Sequence, residues 1–340
     1  MPKKYAESRK KKKKVAPLIS PVVLAPSTSP VNQFTSSLRA ALFIFCATLV
    51  MIFYPGNNYY AELFAFNPEL FATAQQRTDS YKVTSVPFIR LGTFAPSLTA
   101  QSVYVIDLVS ATPLFEKNPH AKLYPASTVK VITALTAADT MKFDDVLTVK
   151  RVIEEGQVMD LVKNEQLTFE NLLYGLLVHS GNDAAYVIAD NYPDGYDAFI
   201  NAMNKKAQSL GMKNSHFHNP AGLDNSTQYV SAFDMTLAGR ELLKNRDLSK
   251  IVSTKSITVS DVDYTRFHAL YNVNRLLGEI PGVAGLKTGK TDLAGENLIT
   301  LYKKNGHDYL IVLLKSEDRF TDTQTLVKWI DANVQYQPTE

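Results

Sequence analysis

In the segment YPASTVKVITALTAAD, Ser127 and Lys130 stand three residues apart. On a helix that spacing puts a hydroxyl and an amine on one face, so the amine can take the proton of a serine that attacks a carbonyl. Lys130 is the only charge between Leu123 and Ala138, and the stretch is apolar nearly all round, which predicts a buried helix. Burial disfavours the ammonium form, and a lysine so placed can act as a base near neutral pH. If Ser127 opens that helix, backbone N–H groups and the positive end of the dipole lie beside a developing oxyanion. The S-x-x-K pattern alone is weak, since Ser8 and Lys11 repeat it in a very different setting.

Two further groups have the types such chemistry needs. HSGNDAA supplies Ser180 and Asn182 after the amphipathic stretch FENLLYGLLV. A hydroxyl and a carboxamide two residues apart on a turn can face one cleft, one relaying protons and the other holding a substrate amide. The same residue types also cap helices, a use that Asp183 could serve. GVAGLKTGKTDLAGENLIT supplies Lys287, Thr288, Gly289 and Lys290. On a strand edging a cleft, Lys287 and Gly289 share one side and Thr288 takes the other. Lys287 then offers positive charge to a carboxylate, Gly289 leaves room for a substrate backbone, and the Lys290 N–H is a second oxyanion donor. The order and spacing of a nucleophile-base pair, a hydroxyl-amide pair and a basic strand match the S-x-x-K, S-x-N, K-T-G set of penicillin-recognising enzymes.

These groups need elements to hold them. SVYVIDL (Ser102 to Leu108) and PLFEKN (Pro113 to Asn118) read as a hairpin. Helices are predicted at about 127–139, 169–178, 182–191, 196–210 and 231–243, strands at 254–260, 283–288, 296–303 and 308–315, and a closing amphipathic helix from Asp322 to Val334. Strands at both ends with helices between them predict an α/β domain of the α+β type, in which an antiparallel sheet packs against a helical cluster.

With 340 residues, 45% hydrophobic and 20% charged, the chain has ordinary globular composition. The net charge of +3 conceals an asymmetry: residues 1–14 carry eight Lys/Arg against Glu7 alone, which leaves the rest at −4. Such a block can meet nucleic acid or an anionic membrane, and the context favours the membrane. Ala40 to Tyr54 is an apolar run of 15 uncharged residues, preceded by Arg39. It is about 22 Å long as a helix, short of a hydrocarbon core of about 30 Å, so snorkelling and local thinning have to help. The first A-x-A site, Ala72 to Ala74, lies too far downstream for normal signal cleavage, which favours an uncleaved anchor. The expected organisation is a disordered cytoplasmic tail over 1–36, with four prolines in 15–36, a signal-anchor over 37–54, a connector over 55–98 and an extracytoplasmic domain over 99–340. Cys46, the single cysteine, sits in the apolar run, so the exported part can form no disulfide.

From about residue 100 to 335 the chain resembles the serine-type D-Ala-D-Ala carboxypeptidases, the low-molecular-mass penicillin-binding proteins. The resemblance rests on VYVIDL…LFEKNPHAKLYPASTVK, LTFENLLYGLLVHSGNDAA, HFHNPAGLD, YNVNRLL and GVAGLKTGKTD. It implies a transpeptidase-like domain with a sheet of about five strands, in which Ser127 is acylated, Lys130 takes the proton and Ser180 and Asn182 line the opposite wall. Lys287, Thr288 and Gly289 then bind the terminal carboxylate region of the substrate, with the Lys290 N–H in the oxyanion hole. No metal or organic cofactor is implied, and the H-x-H of His216 and His218 near Asp224 falls within the family's structural HF-x-NP-x-GLD pattern rather than a zinc site. The implied partners are peptidoglycan stem peptides, with β-lactams as covalent inhibitors, at a bacterial cell membrane and without nucleic acid. Val129, Ala284 and Lys290 depart from the family's common Thr, acidic and aromatic or His residues, and Lys290 puts substrate preference in question rather than chemistry. The ending at Glu340 leads us to expect no carboxy-terminal β domain, with the N-terminal segment as the anchor. Rival readings are a DD-endopeptidase, a class A β-lactamase and a silent peptidoglycan-binding protein. A lactamase normally carries an E-x-x-L-N glutamate loop, which is not found between Asn182 and Lys287.

Overall fold

The computed structural model describes residues 31–53 and 85–337, with side chains in the first stretch from 38 to 50. The basic tail up to residue 30 and most of the connector lie outside the described residues. The N-terminal unit is described by helix α1, Val31–Phe53. Among the described residues no helix is long and apolar enough to cross a membrane, so the expected spanning segment is not shown.

The second unit is built on a five-stranded antiparallel sheet in the order β3-β2-β10-β9-β8. Its strands are β2 (Ser102–Asp107), β3 (Pro113–Lys117), β8 (Val283–Thr291), β9 (Gly295–Lys304) and β10 (His307–Ser316). Successive side chains on a strand point to opposite faces. Tyr104, Ile106, Leu310, Val312 and Ile299 therefore enter one core, whereas Val103, Val105, Ile311, Leu313 and Leu298 enter another. The second core is closed by Phe320, Leu326 and Ile330 of helix α8 (Arg319–Asn333). Sequence reading expected helices packed against the sheet, and here both faces are covered, which is why the strands read as continuous apolar runs.

The larger core holds α2 (Lys130–Ala138), α3 (Phe169–Leu177), α4 (Asn182–Asn191), α5 (Gly195–Ser209), α6 (Ala232–Lys244) and α7 (Arg246–Val252). Helix α7 was not predicted. Asn245 ends α6 and its side chain accepts from the amides of Asp247 and Leu248, so a single residue closes one helix and caps the next. β4 (Val146–Thr148) pairs only with β5 (Gln166–Thr168), β6 (Ser256–Ser260) with β7 (Phe267–Tyr271), and β1 (Pro87–Ile89) with β11 (Val334–Tyr336). Of these short strands β6 was expected, at 254–260, whereas β1, β4, β5, β7 and β11 were missed for a different reason. Three to five residues carry too little periodicity to be seen without their partners.

The predicted helix over 127–139 divides. Ala126–Val129 form a 3₁₀ turn and the α-helix begins only at Lys130. Ala126 has φ of 47°, a left-handed conformation uncommon for a residue with a Cβ, and it breaks the approach to the helix directly before Ser127.

Candidate active site

The 3₁₀ turn that carries Ser127 is gripped from two sides. Asn297 on β9, fully buried, donates from Nδ2 to the carbonyls of Tyr124 and Pro125, both at 2.9 Å, and its Oδ1 accepts from the Lys315 amide. Gly289 on the edge strand β8 packs directly against the turn. A Cβ there would lie 2.9 Å from the Ser127 nitrogen and 3.1 Å from that of Thr128, so only glycine lets strand and turn approach this closely. Neither contact depends on an exposed side chain.

Lys130 is fully buried, and its Nζ lies 2.8 Å from Ser127 Oγ, 2.7 Å from Asn182 Oδ1 and 2.7 Å from the Ala221 carbonyl. Burial, followed by the charge of Lys287, holds its pKa well below the usual lysine range, against a smaller opposing effect of Asp183. A neutral amine has two N–H groups and one lone pair. The two carbonyl oxygens can only accept, so they take both N–H groups and leave the lone pair for the Ser127 hydroxyl. The arrangement is that of a serine beside an amine ready to receive its proton.

Ser180 and Asn182 are brought to the same cleft by the turn before α4. Ser180 has φ of 66°, and its Oγ accepts from Lys287 Nζ at 2.8 Å. Asn182 Nδ2 donates to the Glu155 carbonyl at 2.7 Å, which points Oδ1 at Lys130. Asp183 does not cap the helix. The residue before the helix is Gly181, and the Asp183 carboxylate instead accepts from the amides of Met159, Leu161 and Ala184, tying down the adjoining loop.

Lys287 is buried, and its second contact is the Thr288 carbonyl at 3.0 Å. Burial and the nearby Arg319 lower its pKa to about 7. Thr288, Gly289 and Lys290 line one wall of a cleft of about 270 Å³ whose other walls include Ser127, Ser180 and Asn182. The structure thus brings together every candidate residue read from the motifs. Lys290 is the most open of them, with Nζ turned to Glu296 at 3.0 Å.

Arg319, at the start of α8, also lines this cleft and was not found from sequence. Its Nη1 donates to the Gly289 carbonyl at 2.8 Å, its Nε has no hydrogen-bond partner, and Glu296 Oε2 lies 3.9 Å away. A buried arginine next to a binding strand is a functional signal only in three dimensions, because Arg319 lies about thirty residues past the K-T-G motif. His216 and His218 do not converge with Asp224. The Asp224 carboxylate accepts from Thr291 Oγ1 at 2.7 Å and so clamps the β8–β9 turn. Among the described residues no group of three or more His, Cys, Asp or Glu is placed to hold a metal ion.

A sequence profile of D-alanyl-D-alanine carboxypeptidases matches residues 91–318. The chain is 32% identical over 264 residues to the D-alanyl-D-alanine carboxypeptidase DacF of Bacillus subtilis, covering 72% of this chain and 68% of that protein. It is 30% identical over 262 residues to DacA of Haemophilus influenzae, covering 72% and 65%. The chain therefore spans about two thirds of the length of these relatives. Among solved structures, that of a Streptomyces DD-transpeptidase superposes with a TM-score of 0.67 at 27% identity, covering 71% of this chain and all of the other.

Proposed function

The chain belongs to the D-alanyl-D-alanine carboxypeptidase family, serine enzymes of cell-wall peptidoglycan remodelling, and on that premise we propose that it removes the terminal D-alanine of stem peptides through a Ser127 acyl-enzyme. The observation that carries the reading is the buried, deprotonation-prone Lys130 amine 2.8 Å from Ser127 Oγ. Lys130 takes the hydroxyl proton as Ser127 attacks the carbonyl of the penultimate D-alanine. The oxyanion is received by the backbone N–H groups of Ser127 and Lys290. Ser180 passes a proton from Lys287 Nζ to the leaving D-alanine amine. Water then enters where that residue sat and attacks the acyl carbon, its proton going back through Ser180 to Lys287 while Lys130 returns its proton to the Ser127 oxygen as the acyl bond breaks. Lys287 Nζ is already engaged by Ser180 and Thr288, so the substrate carboxylate is assigned mainly to Arg319, with Lys287 and Thr288 beside it.

The test follows both products with one enzyme preparation. Free D-alanine should be released from a peptide ending in D-Ala-D-Ala, whereas opened penicillin keeps its leaving amine tethered and should stay on the enzyme for minutes or longer. Rapid penicillin turnover with the peptide untouched would make the protein a lactamase.

The charge of Lys287 also sets a pH dependence. Its positive charge disfavours the ammonium form of Lys130. Lys287→Met removes that repulsion and so raises the Lys130 pKa, which protonates the base at a pH where the wild-type amine is still neutral. The acid limb of the acylation rate against pH should therefore move to higher pH. An acid limb that stays in place or moves to lower pH would break the link between these two lysines.

We place the catalytic domain outside a bacterial cell membrane with the basic tail cytoplasmic. The support is the lysine block before the apolar run, together with the exposure of Leu42, Phe43, Ile44 and Phe45, each more than 60% accessible on α1. Arg39 at the cytoplasmic edge offsets the shortness of the run by snorkelling. External protease on spheroplasts should digest the domain and spare an N-terminal epitope. Recovery of the whole chain in the cytosolic fraction would refute this placement.

A further inference from the structure

The Ala221 carbonyl is one of two acceptors that orient the Lys130 amine, yet Ala221 has no side chain able to hold it in place. The loop that carries it is shaped by Asn219, which is 6% exposed. Asn219 Oδ1 accepts from three successive amides, Ala221 at 3.2 Å, Gly222 at 2.7 Å and Leu223 at 3.1 Å, and Nδ2 donates to the Leu223 carbonyl at 2.9 Å. With the Gly222 amide drawn onto that oxygen, the Ala221 carbonyl, which points the opposite way in the same trans peptide unit, is left to face Lys130. Gln228, 1% exposed, braces this loop in turn. Its Oε1 accepts from the amides of His218 and Asn219 and its Nε2 donates to Leu223.

The same loop is keyed at two other points, to helix α2 and to the turn that carries Ser127. Thr133 Oγ1 on α2 donates to the Pro220 carbonyl at 2.7 Å. Gly222 has φ of 90°, and a Cβ there would fall 1.9 Å from the Ala126 carbonyl oxygen, so the loop presses on the backbone next to Ser127. A shift of Asn219 is therefore felt at both Lys130 and Ser127.

We propose that Asn219 is a positioning residue for acyl transfer, which by gathering the 221–223 amides aims the Ala221 carbonyl at Lys130 and so turns the amine's lone pair toward Ser127. The assignment rests on the acyl-enzyme reading given above. The charged groups acting on Lys130 are Lys287 from β8 and Asp183 from α4, and its other neighbours are the uncharged Ser127, Asn182 and Ala221. No charge now stands at position 219, so one placed there reports directly on the base.

The test measures the acylation rate by a fluorescent penicillin across pH in the full chain, normalised to titrated active sites, together with the Kd of the non-covalent complex. Asn219→Ala removes the acceptor for three amides and should slow acylation about 10- to 100-fold with Kd nearly unchanged. Asn219→Asp keeps an oxygen for those amides, and the Leu223 carbonyl still receives Gln228, so the loop should stay formed. Its rate on the alkaline side should remain within a few-fold of wild type, while the added negative charge favours the Lys130 ammonium and moves the acid limb to higher pH. A wild-type rate per active site in Asn219→Ala overturns the assignment, as does an Asn219→Asp acid limb identical to that of wild type. If Asn219→Ala does not fold, the Asn219→Asp profile alone decides. A wild-type protein that takes no adduct at Ser127 sinks the acyl-enzyme reading itself, and the assignment of Asn219 falls with it.

Discussion

Ser127→Ala is expected to abolish both penicillin labelling and D-alanine release, with a loss of at least about 10⁴-fold in kcat. Lys130→Arg should be nearly as damaging, although it keeps the positive charge. A guanidinium does not give up its proton in proteins, so it cannot receive the one on Ser127, and its planar fork does not fit between Asn182 Oδ1 and the Ala221 carbonyl. Groups that act as a unit lose their effect together, so Ser127→Ala combined with Lys130→Arg should be little worse than Ser127→Ala alone. Stopped-flow acylation and a D-alanine release assay measure both. Lys130→Arg with more than about a tenth of wild-type activity would remove Lys130 from the role of base.

The second large effect concerns the substrate carboxylate. Arg319 lies in the wall of the cleft with Nε unpartnered, and Glu296 at 3.9 Å is too far for a hydrogen bond to it. A charge-assisted hydrogen bond of about 1.5–3 kcal/mol corresponds to roughly 10- to 150-fold. A peptide ending in free D-Ala-D-Ala should therefore be cleaved with a kcat/KM larger by that factor than its C-terminal amide. Arg319→Ala should lower the acid substrate to near the level of the amide and leave the amide almost unchanged. Equal losses for acid and amide would show that Arg319 supports the Gly289 carbonyl rather than the substrate.

The chemistry of this site was legible in the sequence to the extent that it is local. Ser127 and Lys130 are three apart, Ser180 and Asn182 two apart, and Lys287 to Lys290 contiguous, so each group is visible as a motif. The apolar surroundings of Lys130 announced its burial, and the structure places it at 0% exposure. Parts made by distant segments were not legible. Asn297 reads only as a polar residue in an apolar strand, although it holds the turn before Ser127 from more than 170 residues away. Arg319 lies three residues ahead of the closing helix expected from Asp322, and nothing beside it in the chain marks it. Lys287 was read as a carboxylate ligand, and nothing in its neighbours along the chain indicates that Ser180 takes its Nζ.

The fold follows the same division. The antiparallel sheet was predicted because β2, β8, β9 and β10 are apolar runs long enough to be read as strands and the hairpin of β2 and β3 has a short turn, whereas the number of about five strands was what the family resemblance implied. The 3₁₀ turn over Ala126–Val129 was read as the first turn of an α-helix, since composition does not separate the two. What sets it apart is tertiary: Gly289 and Gly222 press on Ala126 and Ser127 from β8 and from the 219–223 loop. That turn carries Ser127, the proposed nucleophile, so local and global preferences disagree at the proposed site of the chemistry.

The central claim is that Ser127 forms the acyl-enzyme, and the most direct measurement is the mass of the penicillin-treated protein followed by peptic mapping of the adduct. One penicilloyl group per chain, carried on the peptide that contains Ser127 and absent from Ser127→Ala, is the result expected. An adduct on another residue, or undiminished labelling of Ser127→Ala, would contradict the account.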